Sequence, residues 1–202
     1  MRHGMGQFID AMSPSNFLVT NPEALQHAAE TGGKSLTEGM NLFFEDMAKG
    51  RVSSTDEKAY EVGKNIATTP GAVIFENDLI QLIQYAPTTD RVYERPLLFV
   101  PPCINKFYIL DLQPENSLIR YANEQGHRVF VVSWRNPDEA MADRTWDDYI
   151  EHAVIRAIEV VREITGAETL NTLGFCVGGT LLSTALGVLA ARGDQAAESV
   201  TL

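Results

Sequence analysis

Hydrophobic positions along the chain follow two different periods. From residue 96 onward, nearly continuous apolar runs of strand length alternate with amphipathic stretches of helix length, and the runs are LLFVP, RVFVVSW and TLNTLGF. Such runs are typical of parallel strands that are buried on both faces, and each crossover between them needs a helix. The pattern therefore predicts an α/β fold with a mostly parallel sheet covered by helices on both faces.

The first 70 residues show a helical period instead. Asn21 followed by Pro22 is typical of a helix start, and Ser35 and Glu38 have the spacing of a capping box. The segment SLTEGMNLFFEDMAKG places four apolar side chains on one helix face, and we expect them to pack in a core: Leu36, Met40, Phe43 and Met47. Residues 1–70 are thus predicted to form a helical N-terminal region.

Residues 71–202 begin with a predicted hairpin and end in a strand-like run. AVIFEND and LIQLIQY are two short runs of strand character around a turn. The last residues, ESVTL, begin a further apolar run. Because a doubly wound sheet normally continues beyond its third crossover, we expect this chain to be truncated inside the sheet.

Composition narrows the classes of function. The 202 residues carry a formal net charge of −11, and the basic residues are scattered, so binding to nucleic acid or to anionic lipid is not expected. The longest apolar stretch is far shorter than the roughly 20 residues of a spanning helix, so no transmembrane segment is predicted. Two cysteines without framework spacing indicate free thiols in a reducing cytoplasm.

One of these cysteines lies where a strand gives way to a helix. Gly174-Phe175-Cys176-Val177-Gly178 has the spacing of the nucleophile elbow of α/β-hydrolases, and Gly179 adds further clearance. The start of a helix stabilises negative charge on the sulfur. We therefore interpret Cys176 as a catalytic nucleophile, and the alternative is a buried cysteine that acts as a small apolar residue beside a tight turn.

The elbow also predicts an oxyanion hole made by two backbone N–H groups. The first is that of Val177, directly after the nucleophile. The second comes in this fold from a loop after an earlier strand, and we assign it to Ile104. Cys103 and Asn105 lie in the same loop. Because Cys103 follows two prolines and has no flanking glycines, we interpret both residues as lining the pocket.

A base for the thiol is not evident in this sequence. His3 and His27 fall in the helical region, His127 precedes a strand, and His152 is in the middle of a helix, so we expect structural or solvated roles. No residues have the spacing of a metal site. Since the order in this fold is nucleophile, acid, histidine, we expect the Asp and His of the triad beyond Leu202 and no polymerase activity from this chain alone.

Several long segments resemble the poly(3-hydroxyalkanoate) synthases, also called poly-beta-hydroxybutyrate polymerases. The resemblance covers nearly the whole chain and rests on SPSNFLVTNPEAL, EVGKNIATTPGAVIFENDLIQLIQY, PLLFVPPCINKFYILDLQPENSLIRYA, QGHRVFVVSWRNPD, TWDDYIEHAVIRAIE and LGFCVGGT. The forms GFCVGG and NKFYILDL are most similar to the single-polypeptide synthases that use short monomers. The chain resembles an N-terminal and central fragment of such a synthase.

The resemblance implies a helical region at 1–70 and, at 71–202, the first part of an α/β-hydrolase catalytic domain. It implies transfer of an (R)-3-hydroxyacyl group, 3-hydroxybutyryl above all, from coenzyme A to Cys176 and then to a growing polyester. No metal or organic cofactor is implied, since coenzyme A is part of the substrate. A cytoplasmic enzyme associated with polyhydroxyalkanoate granules, and a homodimer when full length, are also implied.

Two other functions remain open. A cysteine hydrolase of the dienelactone hydrolase type also uses G-x-C-x-G in this fold, and it would release a free acid instead of a polymer. The other alternative is a truncated, non-catalytic chain that binds the synthase or the polymer granule.

Overall fold

The computed structural model describes residues 2–202, with side chains from Met5 onward. The chain divides into two compact units, one that ends at Ala59 and one that spans Tyr60–Leu202. The predicted division into a helical N-terminal region at 1–70 and the first part of a catalytic domain at 71–202 stays a prediction.

The first unit is helical, with α1 at Arg2–Ala11, α2 at Pro22–Glu30 and α3 at Lys34–Lys49. The Asn21 side chain caps α2 by accepting hydrogen bonds from the N–H groups of Glu23 and Ala24, as the sequence predicts. The predicted capping box at the start of α3 is wrong. The N-cap of α3 is Gly33, which has no side chain to offer, so Ser35 lies inside the helix.

The predicted core packing of the α3 stripe is also wrong. Leu36, Met40, Phe43 and Met47 are all exposed, with exposed fractions from 44% to 63%. Neither α2 nor α3 has a single buried residue. Among the described residues of this unit no sheet or further helix layer covers the stripe, and the helical period by itself could not show that.

The second unit contains a six-stranded sheet in the order β1-β2-β4-β3-β5-β6. The strands are β1 Gly71–Glu76, β2 Ile80–Tyr85, β3 Leu97–Val100, β4 Val129–Trp134, β5 Leu170–Gly174 and β6 Ala197–Thr201. Strands β3 to β6 are parallel, whereas β1 and β2 form the predicted antiparallel hairpin at one edge. The predicted mostly parallel sheet is confirmed.

Three continuous helices, beside short 3-10 turns, complete this unit. Helix α4 spans Leu118–Glu124, and α7 spans Val177–Ala191. The long helix between them is composite: α5 Trp146–Asp148 continues as a π-helical stretch, Tyr149–Ile155, and then as α6 Arg156–Thr165. Thr145 and Asp148 form a capping box at its start, and Gly166 ends it with φ 70°. Both boundary features agree with the sequence pattern.

The core lies on both faces of the sheet, because successive residues of each buried strand point to opposite sides. In β4, Phe130 and Val132 join a cluster formed with the π-helical stretch, α6 and α7, whereas Val129 and Val131 join a second cluster with α4. All four β4 side chains are fully buried. The sheet is therefore packed between two helix layers, and the loops at the carboxyl ends of its strands begin from buried residues.

Candidate active site

Cys176 is the second of the two residues between β5 and α7, and it directly precedes the helix. Its backbone has φ 56° and ψ −127°, and in the described residues Ala67 is the only other non-glycine residue with positive φ. A side chain held in this region costs on the order of 1–3 kcal/mol, which the surrounding packing must offset. The Cys176 side chain is exposed. The elbow thus presents the thiol to solvent at the start of a fifteen-residue helix.

Close backbone contacts explain the glycines of the elbow. A Cβ at Gly178 would lie 2.0 Å from the Val100 carbonyl oxygen and 2.7 Å from the Pro101 carbonyl carbon. A Cβ at Gly174 would lie 2.5 Å from the Gly179 Cα. No side chain fits at such distances. The elbow is therefore pressed against the end of β3 on one side and against the first turn of α7 on the other.

Hydrogen bonds hold the same turn. The Phe175 N–H donates to the Val100 carbonyl at 3.1 Å, and the Gly178 and Gly179 N–H groups donate to the Phe175 and Cys176 carbonyls at 2.9 Å. The Val177 N–H, at the first position of α7, has no acceptor within the described part of the chain. It is available to a ligand beside the thiol, as an oxyanion donor must be.

The loop after β3 carries the other predicted donor. Pro101 and Pro102 are buried, and the Asn105 N–H closes a turn by donating to the Pro102 carbonyl at 3.1 Å. Ile104, inside this turn, is 80% exposed, and its N–H also finds no acceptor in residues 2–202. The structure thus leaves both predicted donors, Val177 and Ile104, unpaired, while their catalytic roles stay a prediction.

Cys103 differs from Cys176 in its surroundings. It is half-buried against the larger core cluster, and burial raises the pKa of the Cys103 thiol. Cys103, Ile104 and Asn105 line a cavity of about 450 Å³ together with Lys106, Asn136, Pro137 and Tyr149. Cys103 and Asn105 thus line a cavity, and their role in holding a substrate stays a prediction.

Two aromatic residues at this edge have no signal in the sequence pattern. Trp134, at the end of β4, donates its Nε1–H to the Pro101 carbonyl at 2.8 Å. Its ring lies 5.7 Å from that of Tyr149, which opens the π-helical stretch. Burial, and then the nearby Cys103, raise the pKa of the Tyr149 phenol. A tryptophan at a strand end looks like ordinary core in the sequence, because the bond joins residues 33 positions apart.

The far end of the β3 loop is closed by a buried carboxylate. Asp111 is 2% exposed, and its Oδ1 accepts hydrogen bonds from Thr69 Oγ1 at 2.6 Å and from Ser117 Oγ at 2.5 Å. Ser117 also caps α4 by accepting from the Arg120 N–H. The negative charge of Asp111 adds to burial in raising the pKa of Tyr85. This cluster ties the loop to α4 and to the segment before β1.

The described histidines lie on elements other than the elbow that carries Cys176. His27 is exposed on α2, and the His127 ring lies 5.1 Å from that of Tyr93 before β4. His152 is on the π-helical stretch, with Nε2 3.8 Å from Asp148 Oδ1. Among the side chains that the structure describes, no hydrogen bond or ion pair joins a histidine to Cys176; the His3 side chain is outside that set. Nor do the described residues include three or more His, Cys, Asp or Glu grouped to hold a metal.

A larger opening lies at the opposite edge of the sheet. It has a volume of about 740 Å³ and is lined by Tyr93–Arg95, His127 and residues 166–169, all at or before the amino ends of the strands, together with Asn171. It is lined by neither cysteine, whereas Cys103 lines the cavity of about 450 Å³ at the carboxyl edge.

None of the described helices combines the length and the apolar character that crossing a membrane would require.

Comparison with protein families gives two matches. Residues 1–122 match the family described as "Poly-beta-hydroxybutyrate polymerase (PhaC) N-terminus". Residues 96–199 match the family described as "alpha/beta hydrolase fold", which confirms the predicted α/β-hydrolase-type fold.

Curated relatives agree with the first match. The chain is 63% identical over 202 residues to "Poly(3-hydroxyalkanoate) polymerase subunit PhaC" of Cupriavidus necator, and this covers all of the chain and 34% of the relative. It is 49% identical over 199 residues to "Poly(3-hydroxyalkanoate) polymerase" of Methylorubrum extorquens, covering 96% and 33%. The chain thus spans about a third of the length of the curated relatives that it matches.

The solved structures that this chain resembles are more distant in sequence. An α/β hydrolase from a sediment metagenome of the Mar Chica lagoon is 11% identical with a TM-score of 0.44, over 64% of this chain and 49% of that one. Brefeldin A esterase, a bacterial homologue of human hormone-sensitive lipase, is 16% identical with a TM-score of 0.43, over 78% and 44%.

Proposed function

Because the chain belongs to the poly-beta-hydroxybutyrate polymerase family, we propose that it carries the nucleophile of an acyltransferase that polymerises (R)-3-hydroxyacyl groups from coenzyme A. The observation that supports this most is the exposed Cys176 on a positive-φ elbow beside an unpaired Val177 N–H. We expect 3-hydroxybutyryl-CoA as the substrate and no metal or organic cofactor.

The proposed first step is transfer between two thioesters. The Cys176 thiolate attacks the carbonyl carbon, and a new carbon–sulfur bond forms while the bond to the coenzyme A sulfur breaks. The tetrahedral oxygen carries negative charge in between, and the N–H groups of Val177 and Ile104 would donate to it. Coenzyme A leaves as a thiolate that takes up a proton.

The proposed second step extends the polymer. The hydroxyl oxygen of another hydroxyacyl unit attacks the Cys176 thioester, an ester bond forms, and the Cys176 sulfur leaves. The hydroxyl proton has to pass to a general base, which typically contributes ~10² to 10⁴ in rate. Since no described histidine side chain bonds Cys176, we expect the 202-residue chain by itself to make no polymer.

A sulfur nucleophile suits this sequence of steps. Exchange of one thioester for another is nearly neutral in free energy, so the acyl group stays reactive toward a hydroxyl. An ester to serine would be more stable, and the second attack would gain less. The same elbow would also serve a cysteine hydrolase, and the two functions differ in the acceptor, which is a hydroxyl of the monomer or water.

The test follows the fate of the acyl group. The chain is mixed with 3-hydroxybutyryl-CoA at alkaline pH, where hydroxide can deprotonate the Cys176 thiol, and free coenzyme A, free acid and ester oligomers are measured. We expect coenzyme A release with a burst equal to one acyl group per chain, absent from Cys176→Ala. Steady release of free acid would favour the hydrolase, and no release at all would favour the non-catalytic alternative.

We also propose that the exposed α3 stripe contacts the granule surface, within the cytoplasm. The stripe offers four exposed apolar side chains on one helix face: Leu36, Met40, Phe43 and Met47. Co-sedimentation with purified polymer granules should weaken in Met40→Ser. A matched control is Leu42→Ser, which is equally exposed but lies off the stripe. Equal binding by both variants would argue against a role of the stripe in granule binding.

Homodimerisation of the full-length protein stays a prediction.

A further inference from the structure

Two consecutive prolines leave the loop after β3 without backbone donors. Pro101 and Pro102 have no N–H, so this stretch can be held only through its carbonyl oxygens and its packing. The structure pairs three carbonyls in a row with three different donors: Val100 with the Phe175 N–H, Pro101 with Trp134 Nε1–H, and Pro102 with the Asn105 N–H. The position of the following turn, which contains Ile104, depends on these bonds.

The middle bond differs from its neighbours. The Val100 bond belongs to the sheet edge and the Pro102 bond is internal to the turn, whereas the Pro101 bond comes from a side chain on β4. The Pro101 carbonyl also faces Gly178, whose added Cβ would lie 2.7 Å from both its carbon and its oxygen. Pro101 is therefore enclosed between the elbow on one side and the indole on the other.

Trp134 is itself fixed. It is 8% exposed, belongs to the larger core cluster, pairs with Ile80 across the sheet and packs on Tyr149. Without the indole N–H, the buried Pro101 carbonyl would lose the one donor that it has within the described residues. An unsatisfied buried carbonyl is destabilising, and a small movement of the loop toward water would relieve the penalty.

We propose that Trp134 is a positioning residue for acyl transfer: its indole N–H holds the double-proline loop against the elbow, so that the Ile104 and Val177 N–H groups serve one oxyanion. The proposal rests on the proposed function for its catalytic part. Its structural part, that one side-chain bond sets the loop position, stands independently. Trp134 does not touch the reacting atoms, and it acts through Pro101.

The sharpest variant removes only the bond. Replacement of Trp134 by benzothienylalanine keeps the size and shape of the indole but has sulfur in place of the N–H, and Trp134→Phe is the simpler second variant. The same isostere at Trp146, which is 46% exposed and has no indole hydrogen bond in the described residues, is the matched control. Thermal unfolding of each variant shows that it is folded.

Three measured rates distinguish a change in the position of the double-proline loop from a general loosening of the structure. Acylation of Cys176 by a 3-hydroxybutyryl thioester needs the oxyanion donors, whereas alkylation by iodoacetamide needs only the thiolate. Since loss of one donor typically costs ~10² to 10³, misplacement at Trp134 should slow acylation by about tenfold or more and leave alkylation within about twofold. Hydrogen exchange of the Asn105 amide should become at least about threefold faster.

The outcomes decide the two parts separately. Unchanged Asn105 exchange in the Trp134 isostere would overturn the proposal, whatever the acylation rates are. Faster Asn105 exchange with an unchanged ratio of acylation to alkylation would also overturn it, since the loop would then move without consequence. If the unsubstituted chain is alkylated but never acylated, the proposed function fails, and faster Asn105 exchange alone would still support the tether.

Discussion

The two cysteines of this chain occupy comparable places and differ in nearly every physical property. Each follows a parallel strand at the same sheet edge, and the last residues of these strands, Val100 and Gly174, are paired in the sheet. Cys176 is exposed on a positive-φ turn at a helix start, whereas Cys103 is half-buried in a loop after two prolines. The backbone around a thiol, more than the thiol itself, sets what it can do.

Each backbone is held in its own way. The elbow depends on the absence of Cβ atoms, because the close backbone contacts at Gly174 and Gly178 leave no room for a side chain. The Cys103 loop is held by atoms that are present: the Trp134 indole at its start and the buried Asp111 carboxylate at its end. Added atoms should therefore harm the first region, and removed atoms the second.

The largest effect is expected from the thiols themselves. Cys176→Ala should abolish acyl transfer, because removing the nucleophile of such a site leaves only binding and oxyanion effects, a loss of roughly 10⁴-fold or more. Cys176→Ser should be nearly as inactive, since a hydroxyl ionises far less readily. Coenzyme A release gives the rates. Cys103→Ala is the matched control and should keep substantial activity; equal losses would erase the contrast between the two cysteines.

Adding one methyl group to the elbow should destabilise the whole fold. In Gly178→Ala the new Cβ meets the Val100 oxygen at 2.0 Å, so backbone must shift, at a cost of at least about 3 kcal/mol. Denaturant unfolding measures it. Gly187→Ala lies on the same helix with nothing within 4 Å of the new Cβ, and it should stabilise by about 0.5–1 kcal/mol. Similar unfolding midpoints for both variants would contradict this packing.

Removing one hydroxyl should loosen the Cys103 loop and spare the elbow. Ser117→Ala loses both the cap of α4 and a bond to buried Asp111, which together are worth about 1–3 kcal/mol. Alkylation of Cys103 should become faster while that of Cys176 stays the same. Ser183→Ala, at an exposed position of α7, is the control and should change stability by less than about 0.5 kcal/mol. Faster labelling of Cys176 alone would reverse the expected pattern.

The smallest effect is a shift in the pH dependence of Cys103 labelling. Burial raises the pKa of this thiol, so at any given pH a smaller fraction of it is thiolate. Its alkylation should therefore rise at a higher pH than that of an ordinary cysteine, whose pKa is about 8.5. Peptide-resolved labelling across this pH range, native and in denaturant, measures the shift. Coincident curves in the two states would show that burial does not act on Cys103.

Much of the fold follows from local rules. The strand and helix alternation after residue 96, the Asn21 and Thr145 caps and the Gly166 stop each depend on residues that are near one another in sequence. The elbow belongs to the same class, because two glycines at fixed spacing report a close backbone approach.

What the sequence missed depends on distant partners. The α3 stripe has a helical period, but its exposure depends on whether another layer covers it, and none of the described residues of this unit forms such a layer. Ser35 has the right neighbours for a cap, yet the turn before α3 ends in Gly33. The Trp134 to Pro101 bond and the π-helical turn at Tyr149 arise only when β3, β4 and the long helix come together.

The most direct test of the account is to identify which thiol receives the acyl group. The chain is reacted with a hydroxybutyryl thioester that cannot be extended, digested and analysed by peptide mass spectrometry. We predict the acyl group on the peptide that contains Cys176, with Cys103 unmodified. Acylation of Cys103 with Cys176 free would contradict the assignment of the elbow and the mechanism that depends on it.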